Sequence, residues 1–344
     1  MTDLYQPFLD RLCAARRVLI TTHVRPDGDA LGTTAAMAMA LRRKSIEAEV
    51  LLFSRLPGKY AFIFQENHIA HHDVESAWPA HLSLEKFDTL LVVDTGTWSQ
   101  LPGLRPRLDG WTGQRLVLDH HLTQENWADC KLIDTQAAAA GEIAADLLEH
   151  WQVPFDPPVA TALFLAIASD TGWFQFSNTR PRTLRLAADL MEAGVDTDRI
   201  YRLLYQNERI QRLALQTRAQ QSLQLLHDNR LAVMRLRRND FEQAGASVLE
   251  TENLINIPLQ VQSVEVSILM VESPDGQPVR VSLRSKESVD VAKFAEQFGG
   301  GGHARAAGLR LPGDFQLVCD RIVNAMLDLM KREDLKREDV KRET

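Results

Sequence analysis

The chain has 344 residues, of which 45% are hydrophobic and 25% charged, with a formal net charge of −7. That is room for two domains of roughly 100–200 residues each, and the acidic balance argues against tight binding of long duplex nucleic acid while permitting a local basic patch. Three scattered cysteines (Cys13, Cys130, Cys319), a polar start from Met1 to Asp10, and no apolar run near the roughly 20 residues that cross a bilayer lead us to expect a cytoplasmic protein with no disulfide framework and no membrane partner.

In chain order, short apolar runs alternate with helical patterns, which predicts an α/β fold with a parallel sheet in the first half. Strands are expected at Arg17–Thr22 (RVLITT), Ala48–Phe53, Phe87–Val93 (FDTLLVV) and Arg115–Leu118, with a helix at Asp29–Arg43. Further helices are expected over Ala137–His150, Pro158–Ala168 and Arg182–Ala193. The Leu-, Gln- and Arg-rich stretch from Thr197 to His227 lacks Gly and Pro and reads as a helical connector. Beyond it the pattern changes to strands at Leu231–Leu236, Ser263–Val271 and Val279–Arg284, with a turn signal at Ser273-Pro274-Asp275-Gly276. Helices near Val289–Phe298 and Phe315–Met330 follow. The expected organisation is therefore an α/β domain over 1–196, a connector over 197–227 and a smaller α/β domain over 228–330. A charged tail over 331–344 (KREDLKREDVKRET) would be a solvated helix extension or a disordered end.

The informative residues stand where strands end. The first strand runs into His23-Val24-Arg25-Pro26-Asp27-Gly28-Asp29, the third into Asp94-Thr95-Gly96, the fourth into Asp119-His120-His121. The apolar helix from Pro158 ends in Ser169-Asp170-Thr171-Gly172. Open α/β sheets bind ligands outside the carboxyl ends of their strands, so a parallel sheet would gather these groups on one rim. Carboxylates so gathered raise one another's pKa unless a cation answers them. Asp27, Asp29, Asp94 and Asp170 carry four negative charges, which two divalent ions balance, with His23 and His120 as neutral partners. Oxygen-rich ligands with a few imidazoles and no thiolate suit manganese or magnesium better than a structural zinc. A sharp turn at Pro26 and Gly28 would aim Asp27 and Asp29 at different ions, and Asp94, alone at its strand end, is the expected bridge. Two ions roughly 3.5–4 Å apart can activate a water and clamp the attacking and leaving oxygens of a phosphoryl transfer. His121 would face the substrate and protonate or stabilise the leaving oxygen, and Asp119 would orient a histidine. His68, His71 and His72 (ENHIAHHD) lack nearby carboxylate order and are expected in a solvated segment.

With these residues in place the chain resembles a known family. HVRPDGDALG, VVDT, DHH and ASDTG, in this order, are similar to the four motifs of the DHH phosphoesterases, and GGGGHARAAG at Gly299–Gly308 resembles the signature of the DHH-associated C-terminal domain. The resemblance is nearest to the stand-alone nanoRNase type, which includes oligoribonucleases, pAp phosphatases and cyclic-di-AMP or pApA phosphodiesterases. It implies two manganese ions per site, with magnesium as a substitute: one held by His23, Asp27 and Asp94, the other by Asp29, Asp94, His120 and Asp170. The expected activity is hydrolysis of nucleotides of 2–5 units, pApA or pAp. A cyclic-di-AMP phosphodiesterase, a RecJ-like single-strand exonuclease and a catalytically silent nucleotide-binding protein remain as alternatives. Expected partners are short oligonucleotides or nucleotides and, as an open alternative, a second copy of the chain in a homodimer. In the C-terminal signature, Gly300, Gly301 and Gly302 would let backbone N–H groups approach phosphate oxygens closely, beside His303 and Arg305. Arg284 and Ser285, at a strand end, would meet a terminal phosphate, which favours a bidentate guanidinium.

Overall fold

The computed structural model describes residues 4–74, 78–79, 82–272, 278–287 and 289–343, with side chains through residue 335. The chain divides into two compact units, Met1–Asn207 and Glu208–Thr344.

The first unit begins with α1 (Gln6–Ala14), β1 (Arg17–Thr21), α2 (Gly28–Arg43), β2 (Glu47–Leu52), α3 (Ala61–Gln65) and β3 (His71–Asp73). It continues through β4 (Thr89–Val93), β5 (Gln114–Asp119), β6 (Cys130–Ile133), α4 (Ala140–His150), α5 (Pro157–Asp170), α6 (Pro181–Glu192) and α7 (Thr197–Tyr205). The sheet has the order β3-β2-β1-β4-β5-β6, and every pairing in it is parallel. Alternate strand residues feed two cores. Val18, Ile20, Leu91, Val93, Leu116 and Leu118 face the layer of helices, while Leu19, Leu51, Leu90, Val92 and Val117 face a layer of loops that includes Leu82, Leu101 and Trp127. Burial on both faces explains why these strands read as continuous apolar runs. The strand order reverses between β1 and β4, so their carboxyl ends flank the crevice where such sheets bind ligands.

α2 and α5 cross closely because Gly32 carries no side chain: a Cβ there would stand 2.5 Å from the Ala162 carbonyl oxygen and 2.8 Å from Ala166 N. Gly28, expected to shape a turn, instead opens α2 and is needed for space, since a Cβ would meet Ser169 Oγ at 2.5 Å. The left-handed residue of that turn is Arg25 (φ 56°), whose amide donates to Ser54 Oγ at 2.8 Å.

The second unit consists of α8 (Ile210–Gln221), β7 (Gln224–Leu226), β8 (Leu231–Leu236), α9 (Arg238–Ala244), β9 (Val266–Val271), β10 (Val279–Ser285), α10 (Val291–Glu296), β11 (Gly301–His303), β12 (Ala306–Leu311) and α11 (Phe315–Glu343). Its mixed sheet has the order β11-β12-β10-β9-β8-β7, with β8 and β9 parallel and the other pairs antiparallel. One face packs on Phe294, Ile322 and Met326 from α10 and α11. The other packs on Leu215, Phe241 and Leu254.

The stretch expected as one helical connector is broken. At Gln206 the backbone leaves the helix (φ −122°, ψ 22°) and at Arg209 it is extended (φ −72°, ψ 145°). Gln224–Leu226 then pairs with β8 through His227, Asp228 and Asn229, all at positive φ, a conformation these residue types tolerate better than most. Helix-forming composition alone does not report such tertiary strand pairing. The tail continues α11, and Asp334 on it takes Arg230 Nη1 at 2.7 Å and His227 Nε2 at 2.7 Å. The turn expected at Ser273–Gly276 lies outside the described residues. No helix among the described residues is long and apolar enough to cross a membrane, and Cys13, Cys130 and Cys319 are free thiols.

Candidate metal centre

Asp94 sits at the centre of the rim. It follows β4 in a left-handed conformation (φ 61°) and is buried. That conformation presents its two carboxylate oxygens to different histidines: Oδ2 lies 3.4 Å from His23 Nε2, and Oδ1 lies 3.5 Å from His120 Nε2. Oδ1 is buried without a hydrogen-bond partner, a costly state for a carboxylate unless something else answers it.

Both rings are aimed by backbone. Nδ1 of His23 lies 3.0 Å from the Val24 carbonyl, and Nδ1 of His120 lies 3.3 Å from the Ala137 carbonyl. A carbonyl can only accept, so each Nδ1 carries the proton and each Nε2 points at the carboxylates, the arrangement seen in histidine ligands.

Three groups of donors crowd this rim: Asp94 belongs to one with His23 and Asp27 and to another with His120 and His121, and a third is Asp29, His120 and Asp170. His23, Asp27 and Asp94 form one compact set of donor atoms, with Asp27 Oδ1 4.0 Å from His23 Nε2. Asp27 also caps α2, accepting from Asp29 N at 3.0 Å and Ala30 N at 3.1 Å. In the third set, Asp29 and Asp170 stand about the same His120 that Asp94 and His121 share. In it His120 Nε2 is 3.8 Å from Asp29 Oδ2 and 3.7 Å from Asp170 Oδ2. The Asp29 carboxylate also meets the start of α4, accepting from Ala140 N at 2.7 Å, Gly141 N at 2.9 Å and Thr33 Oγ1 at 3.1 Å.

Protons hold this cluster together when no cation does. Burial works against charge on His23, but the Asp94 carboxylate, the Val24 carbonyl and Asp27 outweigh it and push the ring up to about 9. Burial is likewise outweighed at His120 by Asp94, Asp29 and Asp170, and that ring is pushed up to about 10. Asp94 is drawn down by His120 and His23 despite its burial. Burial and then Asp94 drive Asp29 well above the usual carboxylate range. Asp170 is also raised, chiefly by burial. A divalent cation would replace those protons as countercharge. The donors fit one: carboxylate and imidazole, no thiolate, and one orphaned buried oxygen.

Asp119 is fully buried and takes no place in any of the three sets. Its Oδ1 accepts from His120 N at 2.8 Å, His121 N at 3.2 Å and His121 Nδ1 at 2.8 Å. Gln124 Nε2 donates to its other oxygen. His121 is half exposed, with Nδ1 fixed and Nε2 free to turn outward. The hydrogen bond to Asp119 raises its pKa.

The residues our sequence reading missed are those that aim the ligands from the segment Ala137–Glu142. Besides the contacts to His120 and Asp29, Asn178 Nδ2 ties the Ala138 carbonyl (3.0 Å) to the Asp170 carbonyl (3.2 Å). Glu142 Oε2 accepts from Ala138 N at 2.8 Å. The available signal was Gly141 after four alanines, where a Cβ would meet Ala166 Cβ at 2.4 Å. His72 pairs with Glu49 at 2.8 Å, and His71 stands near Asp73 at 3.9 Å. Neither is in the three donor sets.

The residues expected to bind substrate lie in the second unit. Arg284 is on the partly open face of β10. Ser285 points to the other face, buried, with its hydroxyl donated to the Val289 carbonyl at 2.6 Å. The glycines form an edge strand: Gly300 and Gly302 lie so close to β12 that a Cβ would meet backbone oxygens at 2.4 Å and 2.5 Å, whereas Gly301 opens to free space. His303 is exposed, and Arg305 is exposed with Nη1 donating to the Val289 carbonyl at 3.2 Å.

Two family models match the chain: the DHH family N-terminal domain over residues 17–167 and the DHHA1 domain over residues 228–332. A bifunctional oligoribonuclease and PAP phosphatase NrnA from Thermus thermophilus is 30% identical over 320 residues, covering 92% of this chain and 90% of the relative. The protein of the same name from Bacillus subtilis is 24% identical, covering 85% and 88%. The fold matches the crystal structure of an exopolyphosphatase-related protein from Bacteroides fragilis with a TM-score of 0.82, at 20% identity and covering 96% and 97% of the two chains.

Proposed function

The chain belongs to the DHH family of phosphoesterases with a DHHA1 domain, a hydrolase acting on nucleotides, and from that premise we propose that it cleaves short nucleotides of 2–5 units, pApA and pAp with two manganese ions. The observation that carries this reading is Asp94, buried at the switch point of the sheet, with one oxygen toward each histidine and no donor on Oδ1.

In this reading His23, Asp27 and Asp94 hold one ion, and Asp29, Asp94, His120 and Asp170 hold the other. The ions, when bound, supply Lewis acidity toward the phosphoryl oxygens and activation of the attacking water. The chain's own part is to hold the donors in place and to manage one proton. Asp119 keeps a proton on His121 Nδ1 and favours the charged ring, so Nε2–H can be given to the leaving oxygen. Arg284, Gly301 and His303 bind the substrate from the second unit. Three free thiols fit a cytoplasmic protein, which we propose for it, with short nucleotides rather than long duplexes as partners.

The test is release of mononucleotide or phosphate from a panel of pApA, pAp, short RNA and cyclic-di-AMP, with manganese and after exhaustive chelation. Full activity in the chelated protein, or no turnover of any of the four with manganese, refutes it.

A further inference from the structure

We propose that Arg280 and Arg310, apart from Arg284, form a subsite on the partly open face of the second sheet that takes the terminal phosphate of a nucleotide. This rests on the nucleotide-hydrolase reading and names how one end of the substrate is recognised.

The register of β10 and β12 sets Arg280 directly opposite Arg310, Ser282 opposite Gly308 and Arg284 opposite Ala306. Residues opposite one another in a ladder project to the same face. The burial pattern agrees: Val279, Val281 and Leu283 alternate inward, as do Ala307 and Leu309, while the arginine positions stay partly or fully exposed. The floor between the arginines is bare. A Cβ on Gly308 would find only the Val281 carbonyl oxygen, at 3.5 Å. Arg284 lies four steps along the strand from Arg280, about 13 Å of backbone, so the pair and Arg284 start from different points along one groove.

Like charges directly opposite each other weaken a sheet. A carboxylate normally relieves such a pair, and none among the described residues does so. Among the described residues of this unit, Arg218 pairs with Asp240 and Arg230 with Asp334, but no ion pair includes Arg280, Arg284 or Arg310. Arg280 is held by its donation to Thr251 Oγ1, which is itself buried. Its Nε is buried with no partner at all. Burial, and then the charge of Arg310, lowers the Arg280 pKa, and burial lowers that of Arg284. An anion arriving between the two guanidiniums would remove the repulsion. Paired, planar forks suit a phosphate monoester, with its double charge and three terminal oxygens. They have no special use for the singly charged internal diester.

The test is binding to the full chain without metal, by calorimetry in chelator, with two probes: pApA, and ApA, which lacks the terminal phosphate. The expected result is that pApA binds more tightly than ApA. Arg280→Met with Arg310→Met should weaken pApA about tenfold or more while leaving ApA unchanged, and should flatten the salt dependence of pApA binding. Arg310→Met alone, at an exposed position, serves if the double variant is unstable, and should weaken pApA in the same selective way. Equal loss for both probes, no loss for either, or a wild-type protein that prefers neither probe overturns the subsite. Hydrolysis is scored separately: turnover of pApA without this selectivity leaves the hydrolase reading standing, and selective binding without turnover does the reverse.

Discussion

Asp119 lies fully buried beneath His121 and accepts a hydrogen bond from its Nδ1 at 2.8 Å, so the one half-exposed ring of the site is the one whose orientation a carboxylate fixes. Asp119 stands outside all three sets of metal donors. The expected consequence is a split between metal binding and proton transfer. His121→Gln should retain metal and lose about 10²–10⁴-fold in kcat on pApA. The loss should be much smaller on bis-p-nitrophenyl phosphate, whose leaving group departs without a proton. Equal losses on the two substrates would remove His121 from the proton-donor role.

Asp94 calls for a particular substitution. Its φ of 61° is tolerated by Asn better than by most residues, so Asp94→Asn should preserve the turn while removing the charge. We expect folding close to wild type by circular dichroism, a lower metal count by calorimetry, and turnover down by at least about 10³-fold. Near wild-type turnover at saturating manganese would refute the bridging role. Asp3, an exposed-looking acid suited as a control from sequence, lies outside the described residues.

The histidines predict how metal binding depends on pH. An ordinary imidazole titrates near 6.5, whereas His23 and His120 are pushed up to about 9 and about 10 without metal. At pH 7.5 both rings therefore hold a proton that a metal must displace. Calorimetry in buffers of different ionisation enthalpy should record proton release on manganese binding, and apparent affinity should rise with pH until about 9 to 10. The sign for stability is the opposite. A raised histidine pKa stabilises the metal-free fold fully below the unfolded value, and that contribution is lost as pH climbs through 9 and 10. Metal uptake at pH 7.5 with no proton release would show that the rings are already neutral.

Much of this site was legible because chemistry and topology coincide. Parallel strands buried on both faces read as apolar runs, and three of the four predicted runs end in an acidic or histidine motif: Thr21 before His23, Val93 before Asp94, Leu118 before Asp119. What stayed hidden is tertiary. Asp29 is capped by the amides of Ala140 and Gly141, more than a hundred residues away, and no local pattern reports that. β3 and β6 are short and only partly buried, so they lack the alternation that marked their neighbours. The role of Gly28 was misread for the same reason: its neighbour is Ser169 on another helix, whereas a local reading sees only Pro26 and Asp27.

The helix crossing beside the site gives a stability prediction. At Gly32 a methyl group would press on Ala162 O and Ala166 N, both backbone atoms of α5 that cannot rotate aside. Gly32→Ala should cost about 1–3 kcal/mol, read as a lower urea midpoint with an unchanged slope. An unchanged midpoint would mean that α2 and α5 separate at little cost.

The last prediction concerns substrate length. Arg284 stands on β10 with no acidic partner among the described residues, in the same sheet as the open Gly301 and the exposed His303. In the proposed reading these groups grip one end of a short nucleotide, so each further nucleotide adds phosphates with no site of their own. A chain of net charge −7 offers those phosphates little electrostatic reward. We therefore expect kcat/KM to fall by roughly one to two orders of magnitude from two to about five nucleotides, or ~1.4–2.7 kcal/mol of transition-state stabilisation. Arg284→Ala and His303→Ala should each reduce kcat/KM for pApA about tenfold or more. Arg284→Lys should recover only part of the loss, because an ammonium cannot form the two parallel bonds of a guanidinium. Bis-p-nitrophenyl phosphate, which needs little beyond the metal centre, should suffer less in all three variants. The measurement is a length series and that diester, run on wild type and variants under one salt condition. A flat length profile, or equal losses on the dinucleotide and the diester, would show that the second unit does not select the substrate.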